Sequence, residues 1–339
     1  MTVSTVPDQH VPALPDSGDS RAQFEALISG CGIFKLCDRA KISLTGSDRV
    51  RWLNGMVTNN VRDLATGRGV YAFVLNPQGH ILGDLYAYNR GESLLVDTAG
   101  PQLSKMLELF DRYIIMDDVE VENLSDKIAA IGIAGARVLE VLQSAGFAIP
   151  ELQPLEFREM TWRETAVTLV RAEGDSRQAY EVWLAPDHAE TLFSVLQESG
   201  ATPVGAAALE LCRIALGVPS YGVDIRERDL PQETEQSRAL NFTKGCYVGQ
   251  EIVERIRSRG SLHRKFTGFL VEGLLPAPGT KVQCEGKDVG EITSAASLPL
   301  PNGERRVALG YIRREAADKT SQAGDARVVV AETPFAGVL

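Results

Sequence analysis

The chain has 339 residues, with 45 acidic side chains against 35 basic ones and a formal net charge of -10. That length exceeds what one hydrophobic core usually organises and favours two or three packed units. The acidic balance disfavours general nucleic-acid binding, so any anion site has to be local, and the absence of a long apolar run predicts no membrane span.

The first twenty residues, MTVSTVPDQHVPALPDSGDS, hold neither Lys nor Arg and no apolar segment. They read as a short flexible tail (1–20) on a cytoplasmic protein, not as a secretory or Arg-rich targeting leader. Cys31, Cys37, Cys212, Cys246 and Cys284 are dispersed without a C-x-x-C pair. This spacing points to reduced thiols and away from a metal framework.

The stretch GVYAFVLNPQGHILGDLYAY (69–88) carries two β-rich runs around Asn76-Pro77-Gln78-Gly79 and predicts a hairpin. A helix follows over 101–114, where Leu103, Met106, Leu107 and Phe110 share a face, and then a strand at 119–124. A second mixed unit follows: an apolar run at 127–135, a helix with Val138, Leu139, Val141 and Leu142 inward, strands at 166–172 and 179–185, and helices at 186–200 and 205–219. From Lys265 the texture becomes short strands and turns, as in an all-β barrel or sandwich.

The stretch NFTKGCYVGQEIVERIRSRG (241–260) concentrates a thiol and four cations in an acidic chain. A helix from about Gly249 places Ile252, Val253 and Ile256 on one face and sets Glu251 four residues before Arg255. Cys246 then lies just upstream of a helix N-terminus and two residues after Lys244, a setting that lowers a thiol pKa; a small buried hydrophobe is the plain alternative. Lys244, Arg255, Arg257, Arg259, Arg264 and Lys265 suit a phosphate or poly-carboxylate, or else form a solvated helix end. Asp84 interrupts a strand and either meets a nitrogenous ligand or marks a bulge beside Gly83. Glu181 on a strand and Arg213 on a helix raise the same question, with a structural ion pair as the alternative.

KGCYVGQE (244–251) resembles the signature of the YgfZ family, folate-binding, GcvT-like proteins connected with iron–sulfur enzymes and tRNA modification. LTGSDRVRWLNGMVTNNVRDL, VLNPQGHILGDLYAY, CRIALGVPSYGVDI, VGEITSA and ALGYIRRE are similar, in order, to the wider aminomethyltransferase (glycine-cleavage T-protein) superfamily. The resemblance implies an α+β, three-domain cloverleaf around a central opening that receives tetrahydrofolate or a one-carbon derivative. Its folate-binding region would cover 21–260 as two intertwined α/β subdomains, the smaller about 50–125, with a C-terminal β-barrel at 261–339. It implies that Asp84 faces the reactive folate nitrogen, that Glu181 holds the pterin, and that Arg213 and Tyr221 stand near the site. Lys244 and Arg255 would favour the Cys246 thiolate or hold an anionic tail, and Cys246 would be the working thiol, with no metal ligand set. The partners implied are folate and iron–sulfur proteins or their assembly factors, around a monomer.

Two departures from the T-protein pattern matter. Its paired acidic residues at the hairpin become Gly83-Asp84, and its His- and Trp-rich N-terminal stretch is missing. Both weigh against aminomethyl transfer, which stays as the alternative activity beside a non-catalytic scaffold for cluster proteins.

Overall fold

The turn at Asn76-Pro77-Gln78-Gly79 closes with the Gly79 amide donating to the Asn76 carbonyl at 2.9 Å, while the Asn76 side chain accepts from the His80 amide. Gly79 takes φ +78°, which a side chain disfavours. The strands it joins, Arg68–Leu75 and Ile81–Asn89, pair antiparallel with one slip, so that Leu82 is an extra, bulged residue opposite Val74 and Leu75. The computed structural model describes residues 19–173, 178–260, 262–300 and 303–335. The tail expected over 1–20 lies, through residue 18, outside the described residues.

The hairpin opens a five-stranded antiparallel sheet that continues through Leu94–Ala99 and Arg39–Thr45 to Glu120–Asn123. Arg39–Thr45, from ahead of the 50–125 stretch, joins between the central strand Leu94–Ala99 and the edge strand Glu120–Asn123. Helices Arg49–Met56 and Leu103–Tyr113 cover one face, where Met106 and Phe110 are fully buried. Burial of a side chain such as Phe110 stabilises by about 1.5–3 kcal/mol.

The second unit is a six-stranded sheet ordered Thr202–Pro203, Gly32–Lys35, Ala129–Ala134, Ala179–Leu184, Thr165–Arg171, Phe157–Trp162. Helices Val138–Ser144 and Ala189–Glu198 pack against it through Val138, Val141, Leu142, Leu192 and Leu196. A small cluster with Tyr88, Leu95, Phe157 and Trp183 joins the two sheets. The third lobe is a closed six-stranded barrel running from Arg264–Glu272 to Ala326–Ala331. Helix Ala206–Leu216 seats on it through Ile214 and Ala215. The α+β fold of two mixed units and a β-barrel is therefore the one that the sequence implies.

The barrel is tied to the rest through charge. Glu291, on the barrel strand Lys287–Leu300, accepts from Arg226 of the connecting loop, from Arg228 at 3.3 Å and from Lys281 at 2.6 Å. Burial alone would raise its pKa, but the bonds from Lys281 and Arg226 outweigh burial and hold it at about 2, against an ordinary 4.5. A folded-state pKa below the unfolded value adds stability at pH above about 4.5 that is lost as pH falls toward 2. Glu291→Gln is expected to lower Tm by several degrees at neutral pH, with the gap from wild type closing in acid. Melts across pH 2–8 check this, and a gap that does not change with pH would contradict it.

Candidate functional site

Asp84 sits where the ladder on one side of its strand stops. Leu94–Ala99 pairs with the strand only from Tyr86 to Asn89, so the main chain at Asp84 needs other partners there. Side chains supply them: Gln102 Oε1 accepts from the Asp84 amide at 3.0 Å, and Thr98 Oγ1 donates to the Asp84 carbonyl at 2.8 Å. The carboxylate is gripped as well, Oδ1 by Gln102 Nε2 and Oδ2 by the Tyr71 hydroxyl, both at 2.7 Å. Burial first and the Asp84 charge second push the Tyr71 pKa well up, so the hydroxyl stays a donor. The bulge expected beside Gly83 is present, at Leu82, and the half-buried carboxylate is held with both oxygens hydrogen-bonded inside the protein.

Tyr221 docks on that bulge. Its hydroxyl donates to the Leu82 carbonyl at 2.6 Å and accepts from Lys105 Nζ at 3.3 Å, and Lys105 also pairs with Glu227. Glu181, half-buried on Ala179–Leu184, accepts from Trp183 Nε1 at 2.7 Å. The Trp183 ring lies 4.0 Å from Lys41 Nζ, which pairs with buried Asp97 at 2.8 Å. Arg39 binds Asp97 at 3.0 Å and stacks over Tyr86, whose ring is 4.9 Å from Tyr71. A chain of contacts therefore links Glu181 to Asp84 across the junction of the two sheets. On the far side Arg238 lies over Tyr71 and pairs with Glu173.

The remaining sequence candidates fall elsewhere. Arg213 spends all five guanidinium N–H groups inside the protein: on Glu210 twice, on Asp224, on the Val218 carbonyl and on Ser294 Oγ. It joins helix, loop and barrel, and the structural pair considered between Glu181 and Arg213 does not form, each having other partners. Lys244 is buried, and its Nζ donates to the carbonyls of Asn54, Val57 and Asn59. Burial, and after it the Arg62 guanidinium, pull its pKa down to about 7, while the three bonds to carbonyls use all three N–H groups of its ammonium form. Arg255 is exposed on helix Gln250–Arg259; the ion pair on that helix runs from Glu254 to Arg257 at 3.5 Å, and none is formed between Glu251 and Arg255 among the described residues.

Cys246 is exposed, as is Cys37, whereas Cys31 and Cys284 are buried. Burial raises the Cys31 thiol to about 12. The loop carrying Cys246 is pinned to the rest of the small unit at several points. Asn241 and Val248 amides reach the Thr58 and Gly55 carbonyls, and Lys244 adds its three bonds. Gly249 presses on the hairpin turn, where a Cβ would lie 2.6 Å from the Asn76 carbonyl oxygen and where φ is +83°. The thiol is thus carried by a segment seated on the same hairpin that holds Asp84. Sequence reasoning missed Gln102, Tyr71 and Arg62; the Arg62 guanidinium runs within 3.0 Å of where a Gly245 Cβ would stand, beside Cys246.

Two mixed units and a closed six-stranded barrel make up an aminomethyltransferase-type fold. Residues 7–244 match the GCVT N-terminal domain family and residues 256–336 the CAF17 C-terminal β-barrel domain family. The chain belongs to the GCVT family, within the superfamily of GcvT-like aminomethyltransferases and CAF17/YgfZ-like proteins. It is 30% identical over 300 residues to an aminomethyltransferase of Rubrobacter xylanophilus, covering 87% of this chain and 79% of that one. It is 24% identical to a putative chloroplastic transferase of Arabidopsis thaliana over 92% of this chain and 72% of the relative. In fold it is similar to the glycine cleavage system aminomethyltransferase T of Bartonella henselae, with a TM-score of 0.83 at 18% identity across 94% and 89% of the two chains.

Proposed function

We propose that this protein is a tetrahydrofolate-binding factor of the YgfZ type that supports assembly or repair of iron–sulfur enzymes, including those that modify tRNA. The observation that carries the reading is the exposed Cys246 on a loop seated against the Asp84 hairpin. A reduced folate offers ring N–H donors, flat aromatic surface and an anionic glutamyl end. The residues present fit that chemistry: Asp84 and Glu181 are acceptors, the half-buried Tyr86 offers an aromatic ring, and the exposed Arg255 is a cation for the tail. Bound folate would supply a one-carbon carrier or acceptor. Asp84 and Glu181 would hold it by accepting its N–H groups, while Tyr221 braces the bulge beside Asp84 and Arg213 and Lys244 hold the frame.

Calorimetric titration with tetrahydrofolate and its formyl and methylene forms tests the reading. Micromolar or tighter binding of at least one form is expected, and no binding of any form removes the proposal. The 30% identical Rubrobacter relative favours a second reading, aminomethyl transfer from a lipoyl-bound carrier. Folate-dependent ammonia release with lipoylated carrier protein is expected to be absent, and turnover there would establish the second reading instead.

A further inference from the structure

We propose that Gln102, admitted by the missing side chain at Gly83, is the positioning residue that fixes Asp84 as an acceptor for an N–H donor of the bound ligand. This rests on the folate reading of the site and adds to it the residue that orients the carboxylate and the form of ligand that it selects.

Gln102 is only 5% exposed, and its amide makes two bonds to a single residue, one to the Asp84 main chain and one to its carboxylate. The two bonds use the amide's opposite ends, so its orientation is fixed, since a flip would set the NH₂ against the Asp84 N–H. With Tyr71 on the other oxygen, Asp84 receives one neutral hydrogen bond on each oxygen and no ion pair among the described residues. An ionised carboxylate has about four lone-pair sites, so acceptor capacity remains for a ligand N–H. A ligand nitrogen that carries hydrogen satisfies it, and the same nitrogen carrying a one-carbon substituent does not.

Gly83 makes room for this. A Cβ there would lie 2.6 Å from Gln102 Oε1 and 2.1 Å from Met106 Cε. The Met106 end can swing away, but Gln102 cannot move without losing both bonds to Asp84. A side chain at position 83 and the observed placement of Gln102 therefore exclude each other.

Residue-resolved amide exchange of the ligand-free protein, together with tetrahydrofolate and 5-formyl-tetrahydrofolate affinities, tests this in the full chain. Gln102→Met and Gly83→Ala are each expected to reduce Asp84 amide protection at least tenfold and to weaken tetrahydrofolate about tenfold. Both should narrow the preference for the unsubstituted folate. Adding Gly83→Ala to Gln102→Ala should cost little more, because the group it displaces is already gone. Unchanged Asp84 protection in Gln102→Met, or full additivity of the two changes, would overturn the positioning role. Loss of protection in a protein whose wild type binds no folate would uphold the role of Gln102 and overturn the folate reading.

Discussion

Asp84→Asn is expected to weaken tetrahydrofolate binding about tenfold to a hundredfold while leaving Tm within about 2 °C of wild type. The two effects separate because of what surrounds the carboxylate. The Asn oxygen can keep the bond from Gln102 Nε2, and the new NH₂ then faces the Tyr71 hydroxyl, which can rotate to accept. The protein thus keeps its internal bonds. A ligand N–H, however, meets an N–H where it had an anionic acceptor, and a hydrogen bond to a charged group is worth about 1.5–3 kcal/mol. Titration calorimetry and thermal melts on the same preparations check both halves. Unchanged affinity would remove Asp84 from the ligand site, and a large drop in Tm would assign it to the frame.

Elements set by local chemistry were legible in the sequence. The hairpin followed from Asn76-Pro77-Gln78-Gly79, the helix Leu103–Tyr113 from its apolar spacing, and an all-β C-terminal unit, barrel or sandwich, from its runs between turns. What escaped depends on register and distance. The Gln102 grip exists because the neighbouring strand stops pairing at Tyr86 and because Gly83 lacks a side chain. Neither fact can be read from the eighteen positions that separate Asp84 from Gln102. Lys244 draws its three acceptors from residues 185–190 positions earlier, and folding alone brings that cage around it. Among the described residues the expected Glu251 to Arg255 pair is not formed; the helix pair runs instead from Glu254 to Arg257, whose guanidinium lies 4.6 Å from the Phe242 ring.

Cys246→Ala is expected to abolish complementation of a host lacking its own copy of such a factor, with folate affinity unchanged. Stability gives no reason for a large effect, because Cys246 is exposed and substitutions at such sites usually change folding free energy by less than about 0.5 kcal/mol. Its loop is held by its neighbours, through Lys244 and through the amides of Asn241 and Val248, so loss of the thiol leaves the loop in place. A loss of function would therefore report on the sulfur itself. Alkylation provides an independent check. A maleimide should modify the exposed Cys246 of the native protein, modify Cys37 more slowly because burial pushes its thiol pKa up, and spare Cys31 and Cys284, which the fold buries. Blocking Cys246 in a Cys37→Ser background should then reproduce the Ala phenotype in vitro, measured as reactivation of a cluster-depleted client enzyme. Full complementation by Cys246→Ala would leave the thiol without a role and turn attention to the exposed arginines of helix Gln250–Arg259 as a partner surface.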